Sequence, residues 1–233
     1  PYGLNSRRFP NEDSQEFEFD ETNLFAPDRF TGIDLVDEGP RLAYGLRFGS
    51  LSGLAWDVNG QLGQSWQPRQ QDDFPSGSGV DANFSDYVGR IEVRPSSLVS
   101  VRYRFRIDRE DYALRRNDVR VSLGPPRLRL DLGYLKLTKQ EADEFSPDDS
   151  REEVTLGIRL QPTDSIALAA QTRRDLSRGS QISNMLGLLY RHPCLEILAG
   201  VEQSFTSRGE LDDELTFKVR VTLNTLGSIQ GGS

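Results

Sequence analysis

The stretch LVSVRYRFRI, residues 98–107, decides how the chain is read. Val99, Val101, Tyr103, Phe105 and Ile107 share one parity, and Ser100, Arg102, Arg104 and Arg106 share the other. A period of two belongs to an extended strand, whose successive side chains point to opposite faces; no helix separates these two sets. In a water-soluble sheet the arginine face meets solvent and the apolar face a dry core. In an outer-membrane barrel the assignment is reversed, with apolar side chains in lipid and arginines around a wet lumen. One strand fits both.

Composition favours the second reading. Only 36% of the 233 residues are hydrophobic, which is thin for a soluble core but expected of a barrel that gives about half of each strand to polar positions. No apolar run approaches the roughly 20 residues of a membrane helix, so a membrane reading survives only as a β-barrel. The chain does not open on a charged start followed by an apolar run, as a secretory signal would. Pro1 is therefore expected to be either a mature terminus or the cut end of a longer protein. The formal charge is −8, with the acids crowded into 12–38, 141–153 and 210–214 and the bases placed inside the alternating runs. That distribution excludes a nucleic-acid binder of the usual kind, which carries a basic balance and an exposed basic patch.

Strand-like runs are expected at 41–48, 53–66, 80–94, 98–107, 112–123, 127–137, 153–160, 165–173, 182–191, 194–205 and 215–223, most of them long enough for a tilted transmembrane strand of about 9 to 11 residues. The parity slips near Tyr87 and Tyr134, where a bulge is expected. The connections 49–52, 95–97, 124–126, 161–164 and 192–193 alternate with 67–79, 108–111, 138–152, 174–181 and 206–214, and the second set contains every long one. Outer-membrane barrels combine short periplasmic turns with longer exterior loops, whereas the long connections of a soluble Greek-key sandwich cross between sheets. The fold expected is an all-β, antiparallel, up-and-down transmembrane β-barrel, with about 11 of the strands of a larger barrel. Because bacterial barrels usually have an even count with both termini in the periplasm, missing strands are expected before Pro1. Residues 1–39, irregular and acidic, then form an exterior loop or entry segment, and 40–233 the C-terminal part of the barrel.

Parity turns Arg41, Arg47, Arg90, Arg94, Arg102, Arg104, Arg106, Arg120, Arg129, Arg159, Arg173, Lys218 and Arg220 inward, against fewer acids: Asp57, Glu92, Asp118, Asp131, Glu196 and Glu202. Lumen arginines ordinarily pair with acidic wall residues. Guanidinium forks also suit phosphate and carboxylate, which makes Arg102, Arg104, Arg106, Arg129, Arg159 and Arg220 candidates for an anionic ligand. Catalysis finds little support, and the chain is not expected to be an enzyme. His192, the sole histidine, precedes a proline at a turn, which leaves a Ser-His-Asp arrangement only the rim to occupy. No phosphate loop, zinc motif or cofactor signature is present. His192 with Cys194 falls short of a metal site. Asp148, Asp149, Glu152 and Glu153 read as a solvated loop, with divalent-ion binding the sharper alternative. Cys194, the sole cysteine, has no internal partner.

Within 11–49 the sequence resembles the family of lipopolysaccharide-assembly outer-membrane proteins LptD (also OstA). The match is densest at Asn23-Leu24-Phe25, at Arg29-Phe30-Thr31-Gly32-Ile33-Asp34 and from Gly39 to Gly45. Leu35 departs from an arginine often found there. A weaker likeness lies at 190–200, where the family carries a late cysteine or cysteine pair and this chain has Cys194. The resemblance implies a translocon in the cell outer membrane of Gram-negative bacteria that inserts lipopolysaccharide into the outer leaflet. Its partners would be lipopolysaccharide itself, the lipoprotein plug LptE, the periplasmic bridge proteins of lipopolysaccharide transport and outer-membrane lipid. It implies a lateral opening beside the last strand, here Leu215, Phe217, Val219, Val221 and Leu223, and a disulfide from Cys194 to a missing N-terminal periplasmic domain. A generic outer-membrane porin or channel, and a soluble β-rich carbohydrate-binding domain, are the alternatives.

Overall fold

The computed structural model describes residues 19–26, 40–50, 56–68, 78–138, 150–205 and 214–223. Among them every regular element is a strand: β1 Leu42–Gly49, β2 Asp57–Trp66, β3 Tyr87–Ser96, β4 Val99–Ile107, β5 Leu114–Leu123, β6 Leu128–Leu137, β7 Arg151–Thr163, β8 Ile166–Asp175, β9 Gln181–His192, β10 Leu195–Ser204 and β11 Glu214–Leu223. They lie in one sheet in simple chain order, β1 to β11, and the pairing is antiparallel from β1 to β3 and from β7 to β11. This is the expected up-and-down meander.

Several boundaries differ from expectation. The run 80–94 is a strand only from Tyr87, because 78–86 doubles back through Gly79, whose φ of 85° suits glycine, and closes with the Asp86 N–H donating to the Gly79 carbonyl at 2.8 Å. Tyr87 therefore opens its strand, and the parity slip there is a strand boundary; β2 and β3 pair from Asp57↔Arg94 to Gly63↔Val88 without a shift. β2 begins at Asp57, with Trp56 in a bend and 51–55 outside the described residues. β5 begins at Leu114, after Tyr112 with φ 55°. Residues 161–163 prolong β7 past a register shift between Leu160 and Thr163, and a second shift falls between Arg173 and Arg174. Glu152, expected in a loop, and Glu153, expected both in that loop and at the head of the run 153–160, lie in β7, while Asp148 and Asp149 lie outside the described residues.

The chain forms two compact units, one drawn from 1–96, 101–119 and 135–151, the other from 97–100, 120–134 and 152–233. In the first, the apolar parity of β1 is open: Leu42, Leu46 and Phe48 are exposed. The buried apolar residues Phe19, Leu24, Val80 and Val88, with Ala43 packed on them, gather on the opposite face. Leu24 lies against Gly63, which shares its parity with Gln61, and Val88 shares its parity with Arg90. The small core thus sits over the arginine-bearing side of the strands. In a soluble sandwich it would cover the other.

The second unit has no such core among the described residues. Leu156, Ile158, Leu168, Leu186, Leu188, Phe217 and Val219 are exposed along its apolar face. Ile158, Ala170, Leu186, Val201 and Phe217 stand side by side in the registers of β7 to β11. With Leu160, Leu168 and Leu188 they line a shallow apolar hollow of about 600 Å³. No second layer covers this row among the described residues.

Candidate functional site: an arginine face roofed by an acidic segment

In the first unit the polar parity of β2 to β5 carries a ladder of ion pairs. Arg94 bridges Asp57 (2.9 Å) and Glu92 (2.6 Å), and Glu92 also lies 3.5 Å from the Arg102 Nε. Arg104 is the centre of the face. Its Nη1 lies 3.5 Å from Asp118, which Arg116 also reaches at 3.3 Å. Its Nη2 and Nε reach Asp20 (2.5 Å) and Glu21 (2.9 Å), more than 80 residues back along the chain. Arg116 approaches Asp20 at 3.7 Å.

The segment 19–26 that supplies those two acids is shaped locally. The Asp20 carboxylate accepts from the Thr22 N–H (2.8 Å) and hydroxyl (2.5 Å), and the Asp20 N–H donates to Asn23 Oδ1 (3.0 Å). This is the short-range side-chain bonding that makes Asp and Asn turn formers. The turn sends Phe19 and Leu24 the same way, into the buried cluster, and burying each contributes about 1.5–3 kcal/mol. Leu24 occupies the notch left by Gly63, where any Cβ would collide with it. Gln61 donates to the Glu21 carbonyl (2.9 Å) and Arg41 to that of Ala26 (2.5 Å), tying both halves of the segment down.

A second covering piece, 78–86, lies over Arg106 and Arg109. Arg106 donates to the Ser78 carbonyl (3.2 Å) and its Nε lies 3.5 Å from Asp86. Arg109 pairs with Asp81 (2.9 Å) and lies 3.7 Å from Asp86. Burial pushes the Asp86 carboxyl up to about 6, against the pull of Arg106 and Arg109. Asp108 goes the other way: although burial raises it, hydrogen bonds from the backbone N–H groups of Glu110 and Asp111 and from Arg115 bring it below the usual carboxylate range.

Among the described residues of the second unit the same parity is more open around Arg159, Glu196 and Lys218, although Glu153, Asp175 and Ser183 on it are buried. Asp131 accepts from the Ser122 hydroxyl (2.5 Å) and lies 3.7 Å from Arg159; Arg191 pairs with Glu196 (3.1 Å) and Lys218 with Glu202 (3.1 Å). Ala169, Gly187 and Gly200 stand opposite one another in register, so this wall is nearly bare of side chains there. Arg129 and Arg220 make no side-chain hydrogen bond or ion pair among the described residues. On β11, Leu215, Phe217, Val219, Val221 and Leu223 are all exposed and pair on one side with β10. Cys194 is exposed in the β9–β10 turn, its N–H 3.4 Å from His192 Nδ1, and no group of three metal-ligating side chains occurs among the described residues.

Of the six arginines singled out from sequence, the structure brings Arg102, Arg104 and Arg106 onto one ion-paired face, whereas Arg129, Arg159 and Arg220 belong to the second unit. Each of the six wall acids picked by parity has a basic partner. Sequence reasoning misses Arg116 and Arg191, although Arg116-x-Asp118-x-Arg120 continues the alternation visibly. It also misses Asp20 and Glu21, because nothing in an acidic loop says what it touches. Of the stretch 11–49 that carries the family resemblance, residues 11–18 and 27–39 lie outside the described residues.

An antiparallel meander with one parity open and apolar, and the other carrying internally compensated charge, defines a sheet of the transmembrane β-barrel class. Within that class the match is specific: the family model for LPS transport system D, LptD, covers residues 1–166, and the chain belongs to the LptD family. The LPS-assembly protein LptD of Marinobacter nauticus is 26% identical over 223 residues, covering 94% of this chain and 27% of that protein. The chain thus spans about a quarter of the length of this relative. Among solved structures, the outer membrane phospholipase A of Escherichia coli aligns over 79% of this chain and 77% of its own, with a TM-score of 0.39 and 16% identity.

Proposed function

We propose that this chain is part of the barrel wall of an outer-membrane translocon that inserts lipopolysaccharide into the outer leaflet, moving its charged saccharide along the arginine face. The observation that carries the reading is the family match over 1–166, joined to a wall whose apolar side is open and whose other side is lined by guanidinium groups. Arginine forks fit the phosphates and carboxylates of a saccharide core. In this reading 1–39 is an exterior entry segment, 40–233 is the C-terminal part of the barrel, and Arg102, Arg104, Arg106, Arg129, Arg159 and Arg220 line the saccharide's route. The β11 row Leu215, Phe217, Val219, Val221 and Leu223 borders a lateral opening. Cys194, exposed at a tight turn, bonds a cysteine of a periplasmic domain. The partners are a lipoprotein plug of the LptE kind and the periplasmic bridge, and the task is transport rather than catalysis.

The test is depletion of the full-length protein in its own cell. Lipopolysaccharide should stop reaching the surface, and re-expression should restore it. Unchanged surface lipopolysaccharide on depletion would overturn the reading, and a steady open conductance in planar bilayers would favour a porin instead. For the cysteine, Cys194→Ser should change the nonreducing gel mobility of the full-length protein; identical mobility excludes the bridge.

A further inference from the structure

The charge balance around Arg104 is incomplete without the segment laid over it. Arg104 and Arg116 both reach Asp118 on the strands. Two further carboxylates that reach them, Asp20 and Glu21, belong to the turn 19–26. These two acids therefore stand where an anion reaching this part of the wall would meet the Arg104 and Arg116 guanidinium groups.

Their fit is close but imperfect. Glu21 pairs through Oε1, yet its Oε2 is buried without a hydrogen-bond partner. Arg90, whose register partner Gln61 holds the Glu21 backbone, likewise has a buried Nε without a partner. An unsatisfied buried oxygen and an unsatisfied buried N–H donor both weigh against the seated state. A phosphate group offers three terminal oxygens to guanidinium forks, where each carboxylate offers two. The piece in the seat holds together as a unit: two apolar anchors, Phe19 and Leu24, a notch at Gly63, and a turn closed by its own Asp20 and Asn23 side chains.

We infer that Asp20 and Glu21 are a built-in anion mimic: they occupy a phosphate-binding site formed by Arg104 and Arg116, and an anionic saccharide displaces them when it reaches this wall. The inference rests on the proposed passage of charged saccharide along this face and adds that the chain guards the route with its own carboxylates. Free phosphate and saccharide-borne phosphate share the chemistry, so both are used as probes.

The experiment uses the full-length protein with its partners in detergent, titrated separately with deacylated phosphorylated core oligosaccharide and with inorganic phosphate. Two readouts are taken: binding by calorimetry, and the rate at which a water-soluble maleimide labels the Leu24→Cys protein above the background of the protein lacking that substitution. Asp20→Asn with Glu21→Gln should tighten oligosaccharide binding about tenfold, because the competitor no longer holds the site. Arg104→Gln should weaken binding by at least a similar factor, and Arg104→Lys, which keeps charge but not the fork, should weaken it less. Oligosaccharide should speed labelling at position 24 severalfold. Acceleration by inorganic phosphate as well identifies phosphate as the recognised group, and acceleration by oligosaccharide alone adds the sugar to what is recognised. Unchanged affinity in the Asp20→Asn, Glu21→Gln protein overturns the inference, as does labelling indifferent to both probes. These readouts do not depend on export, so a cell with normal surface lipopolysaccharide after depletion would sink the proposed function while leaving the competition measurable.

Discussion

Arg104 and Arg159 occupy the same kind of position, a polar-parity site within a strand with an acid on the same face nearby. Yet the side chain of Arg104 is 17% exposed and that of Arg159 is 60% exposed. The strands do not cause the difference. β4 and β7 alternate equally well, and both units leave their apolar parity open. What differs is that the first unit has 19–26 and 78–86 laid across its charged face, while the second has bare wall around Ala169, Gly187 and Gly200. Alternation decides which way a side chain points. Burial on a charged face is decided by what the chain lays over it, from far away in sequence.

The comparison is tested most severely at Arg104. Removing one partner of a buried ion pair strands the other charge and costs about 3–5 kcal/mol. Arg104→Ala leaves Asp118 and Glu21, both nearly inaccessible, without their central cation. We expect a loss of that size in urea unfolding of the protein in lipid vesicles. A loss under about 1 kcal/mol, the value typical of exposed pairs, would mean the roof does not dehydrate this face.

The apolar faces, in contrast, should behave alike. Leu46→Arg in the first unit and Leu156→Arg in the second each place a charge among exposed apolar residues. In water that costs almost nothing; at the middle of a bilayer it costs about 2–4 kcal/mol. Comparable losses at both sites, measured in vesicles, are expected. A loss at one alone would confine the lipid-facing row to that unit.

Acid should reach the covered end of the first unit through Asp86. Its folded pKa of about 6 lies above the ordinary 3.8, so between those values the folded protein binds a proton that the unfolded chain has released. Stability from this group is present below about pH 4 and is lost as pH rises toward 6, at most about 3 kcal/mol by linkage. Asp108 acts in the opposite sense, since its lowered pKa adds stability above pH 3.8 that is lost as pH falls through the folded value. Asp86→Asn should flatten the stability profile between pH 4 and 6. A profile unchanged by that substitution would show Asp86 to be hydrated.

Much of this was legible in the chain, and the reason is local. The strands could be read because alternation is written residue by residue: Val99 to Ile107 and Leu215 to Leu223 name their own faces. The six wall acids could be read for the same cause. The expected strand start near Val80 failed because a run containing valine, alanine and phenylalanine looks extended, whereas its path is set by Gly79, Asp86 and the arginines beneath. Nor could Asp20 and Glu21 be assigned to Arg104. That contact is a choice among many arginines, made by where Phe19 and Leu24 find a notch, and Gly63 carries no sign of its partner.

The smallest expected effect completes the comparison at Arg159. Its guanidinium lies 3.7 Å from an Asp131 that is itself 37% exposed. Water solvates either group once the other is gone, and an exposed pair is worth about 0–1 kcal/mol. Arg159→Ala should therefore shift the unfolding midpoint barely beyond error at low salt. The shift should vanish near 1 M salt, where charges are screened over about 3 Å. Arg104→Ala should keep most of its cost at the same salt, because its partners are shut away from the ions. If salt erased both effects equally, the two walls would be equally wet, and the distinction drawn from Asp20, Glu21 and their seat would fall with it.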